Sequence, residues 1–403
     1  MRSRIFLITG VLVLALGACT PTQQIVSPTS TPVPVTNTST PLPTATNIPL
    51  PTLPGVTAVS PALVHIAFQD ANNGWGIAAN GGGSILRTVD GGSTWVNVTP
   101  PGLSGIGYST GLNVINVITA WVLIANPDYF TGKLYHTSDG GLTWTSFDVP
   151  FGGGSLQFLD STTGRILADR GAGAGSQVVE MFQSSDGGAT WLSVFNNDPT
   201  RPDSSGSLPL GGIKNGMTFL DANTGWVTGS RPMNGDVYVF NTKDGGIDWA
   251  QQNIPLPAGY SAYQYMPQAP VFFGNDGFLP MMIYLSNTPD LVFFTTHDGG
   301  ATWNGDPENA ASNLMPCSYA FADALHGWCW DGSTTIHSTT DGTQTWSSIP
   351  ANLDLSGRLS QLVFVPGTSG EFTGWALTGQ DNGGSTQLYK STDNGASWTP
   401  LIP

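Results

Sequence analysis

Hydrophobic and polar residues alternate along most of this chain in short runs that end at turn-forming residues. Runs such as VHIAF, MTFL, SYAF and LVFV lead into a turn rich in Asp, Asn and Gly, and a second run then opens with Gly-Trp or a close variant. A polar loop, a third run and a fourth run follow in each case. Alternation with a period of two predicts β-strands. The pattern therefore predicts an all-β protein whose strands are arranged in groups of four antiparallel strands.

A short phrase around an Asp that closes on a Trp occurs seven times, between the third and fourth runs of each group. TVDGGSTW is the first and STDNGASW the last, and successive Asp residues are 43 to 58 residues apart. A period of this length is typical of propeller blades, so we predict a seven-bladed β-propeller of four-stranded blades. The Asp and Trp residues of the seven phrases are Asp90 and Trp95, Asp139 and Trp144, Asp186 and Trp191, Asp244 and Trp249, Asp298 and Trp303, Asp341 and Trp346, and Asp393 and Trp398.

The phrase has a structural role that its residue types explain. The Asp carboxylate can accept hydrogen bonds from N–H groups of its own turn, and the Gly two residues later permits a positive φ. The Trp begins the fourth strand and is expected to bury its ring between sheets. Thr343 replaces that Gly in the sixth phrase, and Asp248 replaces the usual Thr in the fourth. We expect these two turns to be less regular than the others.

With these phrases the chain resembles the Asp-box, or BNR-repeat, propellers. The resemblance covers essentially all of residues 56–403, and it implies that the seven Asp residues are structural. Asp-box propellers include sialidases, xyloglucan-cleaving glycoside hydrolases, sortilin-type receptors and photosystem II assembly factors. The spacing of the Gly-Trp strands is most similar to the assembly-factor type, which implies binding without catalysis.

The first 55 residues predict where the protein resides. Arg2 and Arg4, an apolar run and a small-residue site form a secretion signal over residues 1–18. The sequence that ends at Cys19 resembles the lipobox of bacterial lipoproteins, so Cys19 is the expected lipidation site, with ordinary signal cleavage as the alternative. Residues 20–55 hold ten Thr, nine Pro and no charge, which predicts that 19–55 is a disordered tether. We expect a cell-envelope protein that its lipid anchors on the extracytoplasmic side.

The net charge of the chain restricts the class of binding partner. Removal of the two signal arginines leaves ten basic and 27 acidic residues, a net charge of −17, which disfavours binding to nucleic acid.

The cysteines and histidines make separate predictions. Cys317 and Cys329 flank a hairpin pattern centred on Asp323, so we predict a cross-strand disulfide, with two free thiols as the alternative. The histidines have no ligand spacing, so we predict no metal site and no cofactor. Calcium held by loop Asp residues remains an alternative.

Enzymatic function needs chemistry outside the seven phrases. Sialidases require three convergent Arg residues, and six remain after signal removal, but none lies between Arg231 and Arg358. Asp70, Asp160, Asp221 and Asp323 recur at one turn position, which favours turn formation over an acid–base pair. We therefore assign no catalytic residue. A sialidase-like or xyloglucanase-like glycoside hydrolase is kept as the alternative function.

Topology indicates where a ligand binds. If the Asp phrases join strands three and four, the loops between strands two and three emerge on the opposite face, where the chain is most irregular. Loops on a rigid scaffold commonly carry recognition. Candidate binding residues on these loops and connections are Tyr129, Phe130, Arg170, Arg201, Arg231, Tyr260, Tyr263 and Tyr265. In the alternative interpretation the tyrosines only pack their connection onto the propeller.

The leading hypothesis is a monomeric, membrane-anchored propeller that binds a protein or a glycan without catalysis. A photosystem-type assembly factor is the second alternative. Two closures of the ring are open: packing of the first blade against the last, or addition of the segment VTAVSPALV as a strand to the last blade.

Overall fold

A computed structural model describes eleven segments of the chain. They are residues 57–58, 61–79, 82–107, 109–231, 235–256, 264–284, 289–305, 317–356, 358–367, 370–379 and 386–401. The predicted signal, Cys19, the tether, Tyr260 and Tyr263 lie outside these segments. No helix in the described segments is long and apolar enough to cross a membrane.

The described segments form 29 β-strands in seven antiparallel sheets, which confirms the predicted seven-bladed propeller. The first blade contains β1 (Thr57–Ala58), β2 (Leu63–Phe68), β3 (Gly74–Ala78), β4 (Ser84–Thr88) and β5 (Trp95–Asn97). The second and third blades contain β6 (Gly111–Val114), β7 (Ala120–Ala125), β8 (Gly132–Thr137), β9 (Thr145–Val149), β10 (Gly154–Phe158), β11 (Gly164–Gly173), β12 (Ser176–Ser184) and β13 (Leu192–Asn196).

The remaining four blades follow in chain order. The fourth and fifth contain β14 (Ile213–Phe219), β15 (Gly225–Ser230), β16 (Val239–Thr242), β17 (Ala250–Gln251), β18 (Gln264–Pro267), β19 (Val271–Phe273), β20 (Asp276–Tyr284) and β21 (Asp290–Thr296). The sixth and seventh contain β22 (Ser318–Phe321), β23 (Gly327–Trp330), β24 (Thr335–Thr339), β25 (Ser347–Pro350), β26 (Leu359–Pro366), β27 (Phe372–Thr378), β28 (Leu388–Ser391) and β29 (Thr399–Pro400).

The fifth blade departs from the regular pattern. Its innermost position is divided between β18 and β19, which both pair with β20. Pro270 lies in the break, where its missing N–H cannot complete a ladder. The outermost position is reduced to a bridge between Thr295 and Asn304. The blade is therefore built from the same four positions with shorter pairing at its two edges.

The recurring Gly-Trp pair is explained by aromatic packing between neighbouring blades. A Phe near the end of the innermost strand lies over the Gly that begins the second strand, and a Cβ on that Gly would come 2.5–2.7 Å from the Phe ring. The Trp after the Gly packs on the Phe of the next blade: Trp328 stacks on Phe364 at 3.8 Å, and Trp375 on Phe68 at 3.7 Å. The Gly positions explained in this way are Gly74, Gly164, Gly225, Gly277, Gly327 and Gly374.

All seven Trp residues of the Asp phrases pack against another aromatic ring. Trp95, Trp249, Trp303 and Trp398 are buried, and Trp144, Trp191 and Trp346 are half-buried. Their partners include Phe68 for Trp95, Phe219 for Trp249 and Trp226 for Trp303. Burial of such large rings contributes strongly to stability because each removes a large apolar area from water.

Blades are also joined through the backbone carbonyls of the Asp phrases. The side chain of one blade donates a hydrogen bond to a carbonyl in the phrase of the next blade, and the donors differ in type. The pairs are Arg87 to Gly140, Trp121 to Gly187, Gln183 to Gly245, Trp328 to Asn394 and Trp375 to Gly91. The phrase therefore fastens its own turn and also the neighbouring blade.

The ring closes by packing of the first blade against the seventh. Phe68 stacks on Trp375 with ring centroids 3.7 Å apart, and Gln361 bonds both the N–H and the carbonyl of Ile66. Strand β1, from the segment before the first repeat, pairs with β5 of its own blade. The alternative in which this segment extends the last blade is wrong, because β26 to β29 complete that blade without it.

Cys317 and Cys329 form a disulfide with their Cα atoms 5.6 Å apart. The symmetric arrangement about Asp323 would place Cys317 opposite Cys329, and the observed pairing is shifted from it by two residues. Tyr319 lies opposite Cys329, and Ser318 lies opposite Trp330. Cys317 therefore reaches Cys329 diagonally along one face of the hairpin, where both pack with Phe293 and Tyr319.

Candidate functional site

The seven Asp phrases and the first turns of the blades lie on one face of the propeller, which we call the box face. In the first blade the N–H of Gly91, in the Asp phrase, donates to the carbonyl of Asn72, in the turn between β2 and β3. Equivalent bonds join the two turns in the next five blades. The loops between second and third strands, and the connections between blades, therefore emerge on the opposite face, which we call the loop face.

Each Asp phrase is held by a compact hydrogen-bond network. In the first blade, Asp90 Oδ1 accepts from Thr88 Oγ1 and from the N–H of Thr94, both at 2.8 Å. Asp90 Oδ2 accepts from Thr94 Oγ1 at 2.6 Å, and Thr88 Oγ1 accepts from the N–H of Gly92 at 2.8 Å. The carboxylate thus accepts three hydrogen bonds from donors of its own turn, which gives it a structural role there.

The buried hydroxyl two residues before each Asp escaped the sequence-based prediction. It forms the same two bonds in all seven phrases, and it is almost fully buried each time. The sequence did contain a sign of this role: every phrase has Ser or Thr at that position. The residues are Thr88, Thr137, Ser184, Thr242, Thr296, Thr339 and Ser391.

The two unusual phrases behave differently from each other. The turn with Thr343 keeps every hydrogen bond of the network, so the expectation of lower regularity is wrong there. It achieves this with φ of 73° at Thr343, a left-handed conformation that costs energy for a β-branched residue. In the fourth phrase Asp248 supplies no hydroxyl, and Asp244 Oδ1 accepts from the N–H of Ile247 and of Asp248 instead.

These networks lower the pKa of the box carboxylates. The pKa of Asp298 falls to about 2, chiefly because the N–H and the hydroxyl of Thr302 and the hydroxyl of Thr296 donate to it. Burial acts to raise the pKa of Asp90, but the hydrogen bonds from Thr94 and Thr88 outweigh it and lower the pKa. Hydrogen bonds to the charged form favour ionisation. The box face consequently carries fixed, internally satisfied charges.

On the loop face, residues 126–131 of the second blade present two exposed aromatic rings. Tyr129 is 74% exposed and Phe130 is 52% exposed. Asp128 fixes the loop by accepting from the N–H of Phe130, the N–H of Thr131 and the Thr131 hydroxyl. Tyr129 adopts φ of 60°, an uncommon conformation for a residue with a side chain. A rigid loop thus holds both rings in solvent.

A charged cavity of about 350 Å³ lies on one side of this loop. Glu180 is central to it, with carboxylate contacts from Arg170 Nε at 3.0 Å, Arg201 Nη1 at 2.9 Å and the Ser193 hydroxyl at 2.7 Å. Burial acts to raise the pKa of Glu180, but these donors outweigh it and lower the pKa. Glu180 is therefore held ionised. The structure brings Phe130, Arg170 and Arg201 together here, as three of the predicted binding residues.

Arg170 also connects the second and third blades. Its Nη1 donates to the carbonyl of Phe130 at 2.9 Å, and its Nη2 donates to the carbonyl of Pro150 at 2.7 Å. Arg201 is bound on its other side by Asp203. Both guanidinium groups are therefore positioned by protein partners, which gives the cavity a defined arrangement of charge before any ligand arrives.

An open cleft of about 560 Å³ borders the loop at Tyr129, between the second blade and the connection that leads into it from the first blade. Its wall is formed by residues 102–105, 109–110 and 124–127 together with Tyr129, Lys133 and Tyr135. Lys133 is its single charged residue, and the Lys133 ammonium pairs with Asp148 at 2.6 Å. We call this cleft the neutral cleft. The sequence-based analysis did not identify it, because its residues come from three separate segments.

Two further predicted binding residues that the structure describes, Arg231 and Tyr265, do not line either cavity. Arg231 pairs with Asp236 at 2.6 Å and lies over the ring of Tyr238, in the fourth blade. Tyr265 is buried in the core around Trp226 and Leu279. The position of Tyr265 agrees with the alternative interpretation, in which a tyrosine packs its connection onto the propeller and does not contact a ligand.

Lys214 is a buried charged residue that the sequence analysis did not single out. Its Nζ donates to the carbonyls of Gln177, Pro209, Leu210 and Gly212 at 2.8–3.1 Å. Burial, with the nearby charge of Arg231, lowers the pKa of Lys214 to about 8. The ammonium joins the connection between the third and fourth blades to β12. Among the described residues, no three His, Cys, Asp or Glu side chains are placed to hold a metal ion.

Comparison with known proteins gives two kinds of relative. No family model matches the chain. A xyloglucanase from Paenibacillus sp. is 29% identical over 286 residues, which are 61% of this chain and 25% of that protein. The photosystem II assembly lipoprotein Ycf48 of Synechococcus sp. (strain CC9902) is 22% identical over 300 residues, 67% of this chain and 82% of that protein.

Solved structures extend the comparison. A structure of Ycf48 bound to a D1 peptide has a TM-score of 0.52 and 16% identity, and the match covers 84% of this chain and 93% of that one. At this identity the likeness concerns the fold. The chain spans about a quarter of the xyloglucanase and most of the length of the Ycf48 proteins.

Proposed function

We propose that this protein is a non-catalytic, membrane-anchored propeller that binds a protein or a glycan on its loop face. The observation that carries the proposal is the surface around residues 126–131. There two exposed aromatic rings, held by a rigid loop, separate a cavity of fixed charges from a neutral cleft. Exposed aromatic side chains beside preorganised polar groups are typical of recognition sites.

The chemistry of the carboxyl groups favours binding over catalysis. A glycosidase needs one carboxylic acid with a raised pKa beside a second carboxylate. Among the described residues, every carboxyl group whose pKa departs from its usual range is shifted downward, Glu180 included. The described innermost strands contain neither Asp nor Glu. A glycoside hydrolase is therefore the second candidate, supported by the local identity to a xyloglucanase.

The share of each relative that the chain covers supports the binding role. The match to an assembly lipoprotein extends over most of that protein, whereas the match to a xyloglucanase covers a quarter of it. A lipid on Cys19 and a tether over 19–55 would place the propeller on the extracytoplasmic side of the cell envelope. An assembly factor for a membrane complex is one form that such a binding protein takes.

The test uses the purified full chain in mild detergent, applied to a glycan array and to an array of extracytoplasmic peptides. We expect retention on one of them, lost in the double variant Tyr129→Asn with Phe130→Ala. The matched control is Ile247→Ala, an exposed apolar residue on the box face, which should bind like the natural chain. No retention on either array, or equal loss in the control, contradicts the proposal.

Two further measurements address catalysis and location. Release of reducing ends from xyloglucan by the natural chain would replace the binding proposal with the hydrolase. Mass spectrometry of the mature amino terminus should find a diacylated Cys19, and Cys19→Ser should move the protein from the membrane fraction to the soluble fraction. An unmodified amino terminus at another residue would refute the anchor.

A further inference from the structure

We propose that the neutral cleft binds an uncharged saccharide, with Tyr129 as the ring on which a sugar unit stacks. The inference rests on the proposed binding function and assigns it a ligand class and a subsite. The cleft volume of about 560 Å³ lies within the range of ligand pockets, which are roughly 300–1,000 Å³.

Electrostatics exclude strong selection for a charged ligand in this cleft. The ammonium of Lys133, its single charged group, is neutralised by Asp148 at 2.6 Å. The charged cavity on the other side of residues 126–131 has the opposite character, with Arg170, Arg201 and Glu180 in contact. An uncharged polar ligand gives up hydrogen bonds to water that hydroxyl and amide groups of the wall can replace, whereas an ion would give up its hydration without gaining a charged partner.

The wall of the cleft offers the groups that recognise sugar hydroxyls. Ser104, Ser109, Thr110, Asn126 and Tyr135 place hydroxyl and amide groups around the opening. Hydroxyls and amides donate and accept at once, so they can match a ligand in which every hydroxyl does the same. Tyr129 and Tyr135 add aromatic faces on which the C–H side of a sugar ring can pack.

Tyr129 is prepared for stacking by its surroundings. Its ring is 74% exposed, while its backbone is fixed by the Asp128 turn and by a bond from its own N–H to the carbonyl of Asn126 at 2.9 Å. Gly152 lies against its carbonyl so closely that a Cβ there would collide with it. Because its backbone is already fixed, only the side-chain torsions of Tyr129 are ordered on binding, which favours affinity.

A peptide is the less suitable occupant because the cleft offers no free strand edge. Strand β7 pairs with β6 and β8, and β8 pairs with β7 and β9, so both strands that border the cleft are paired on both sides. Peptide recognition by strand addition needs an exposed edge, and recognition of peptide charges needs unpaired ions. The neutral cleft has neither, whereas stacking and hydroxyl recognition need only what it contains.

The experiment is isothermal titration calorimetry of the full chain in mild detergent. The probes are cellohexaose, mannohexaose, chitohexaose and a xyloglucan oligosaccharide, with anionic hexagalacturonate as the charged comparison, all at millimolar concentration. We expect at least one neutral probe to bind and hexagalacturonate not to bind. Tyr129→Asn should weaken the binding about tenfold or more, and Tyr129→Phe should leave it within about threefold.

Asn is chosen at position 129 because it tolerates the left-handed backbone, so the variant removes the ring without disturbing the loop. Ile247→Ala, which truncates an exposed apolar residue on the box face, is the matched control, and it should leave saccharide affinity within about threefold. An unchanged thermal transition in each variant confirms that the fold is intact.

The outcomes separate this inference from the proposed function. If no neutral probe binds, if hexagalacturonate binds as well as they do, or if Tyr129→Asn binds normally, the saccharide assignment is wrong. If peptides are then retained on the array through the same loop, the binding function stands with a different ligand. If neither array retains the protein, both the ligand class and the function are wrong.

Discussion

The box face and the loop face are built from the same strands, but they hold their polar groups in opposite ways. On the box face each Asp accepts hydrogen bonds from residues two and four positions away, as Asp90 does from Thr88 and Thr94. On the loop face Arg170 reaches Phe130 and Pro150, which are 40 and 20 residues distant, and Arg201 reaches Glu180, 21 residues distant. The local bonds of the box face repeat from blade to blade, whereas these long-range bonds of the loop face each occur once.

The difference suggests a division of labour between the faces. Seven copies of one local network stabilise seven turns and connect neighbouring blades, so a change there should affect folding. The loop face has no repeated network, and its cavities depend on which loops happen to meet. Changes there should affect binding and leave stability nearly unaltered. The predictions below measure this contrast as changes in the free energy of unfolding.

The largest loss of stability is expected for a substitution where the first and seventh blades meet. Trp375 stacks on Phe68 and donates its Nε1–H to the carbonyl of Gly91 at 2.9 Å. Trp375→Ala should lower the free energy of unfolding by about 3–5 kcal/mol, because it removes a fully buried ring and the contact between the first and last blades. Guanidinium chloride unfolding followed by far-ultraviolet circular dichroism measures it.

Trp375→Phe is the control for this closure. It keeps an aromatic ring over Phe68 but removes the hydrogen bond and part of the buried ring, so it should cost less than the Ala variant, about 1–2 kcal/mol. If Trp375→Ala costs no more than Trp375→Phe, the stacked pair does not close the ring.

The second effect concerns the buried hydroxyl of the Asp phrase. Thr88 accepts from the N–H of Gly92 and donates to Asp90, both at 2.8 Å. Thr88→Val keeps the shape but leaves a buried N–H unpaired, so we expect a loss of about 1–3 kcal/mol by thermal and denaturant unfolding. Thr94→Val, which removes an exposed hydroxyl of the same network, should cost less than about 1 kcal/mol. Equal losses would show that the burial of Thr88 is not decisive.

A third substitution should increase stability. Thr343 occupies a left-handed position at which five other phrases have Gly with φ between 78° and 98° and the last has Gly395 with φ of 90°. Thr343→Gly removes this strain and should raise the free energy of unfolding by about 1 kcal/mol. Gly395→Ala, at the equivalent position of the seventh blade, should lower it by a similar amount. A loss of stability in Thr343→Gly would mean that packing of the Thr side chain outweighs its backbone strain.

The same contrast explains how far the sequence alone could lead. The blades and their turns were predictable because the Asp, the Gly and the Trp act within eight residues of each other, and the local pattern repeats. The predicted pairing of Cys317 with Cys329 was two residues out of register, since strand pairing depends on contacts that a symmetric pattern does not specify. Whether the segment VTAVSPALV closes the ring could not be decided from the sequence for the same reason. In the structure β1, which belongs to this segment, pairs with β5.

The loop face was predictable only as a location. Phe130, Arg170 and Arg201 were selected as exposed types on irregular loops, and they meet in one cavity. Tyr265 was selected on the same grounds but is buried, because the length of a connection does not reveal which of its rings packs inward. The partners of Arg170 and the wall of the neutral cleft come from distant segments, and no local pattern signals such meetings.

The smallest effect on stability is expected at Tyr129, and it provides the sharpest contrast with the box face. Its ring is mostly in solvent, so Tyr129→Asn should change the free energy of unfolding by less than about 0.5 kcal/mol. Asn suits φ of 60° better than Tyr, so any change should be a gain. Both substitutions relieve left-handed backbone strain. Thr343→Gly should do so with a gain in stability, whereas Tyr129→Asn should do so with a loss of ligand binding. A loss of more than about 1 kcal/mol in Tyr129→Asn would place this ring among the structural aromatics and remove it from the binding surface.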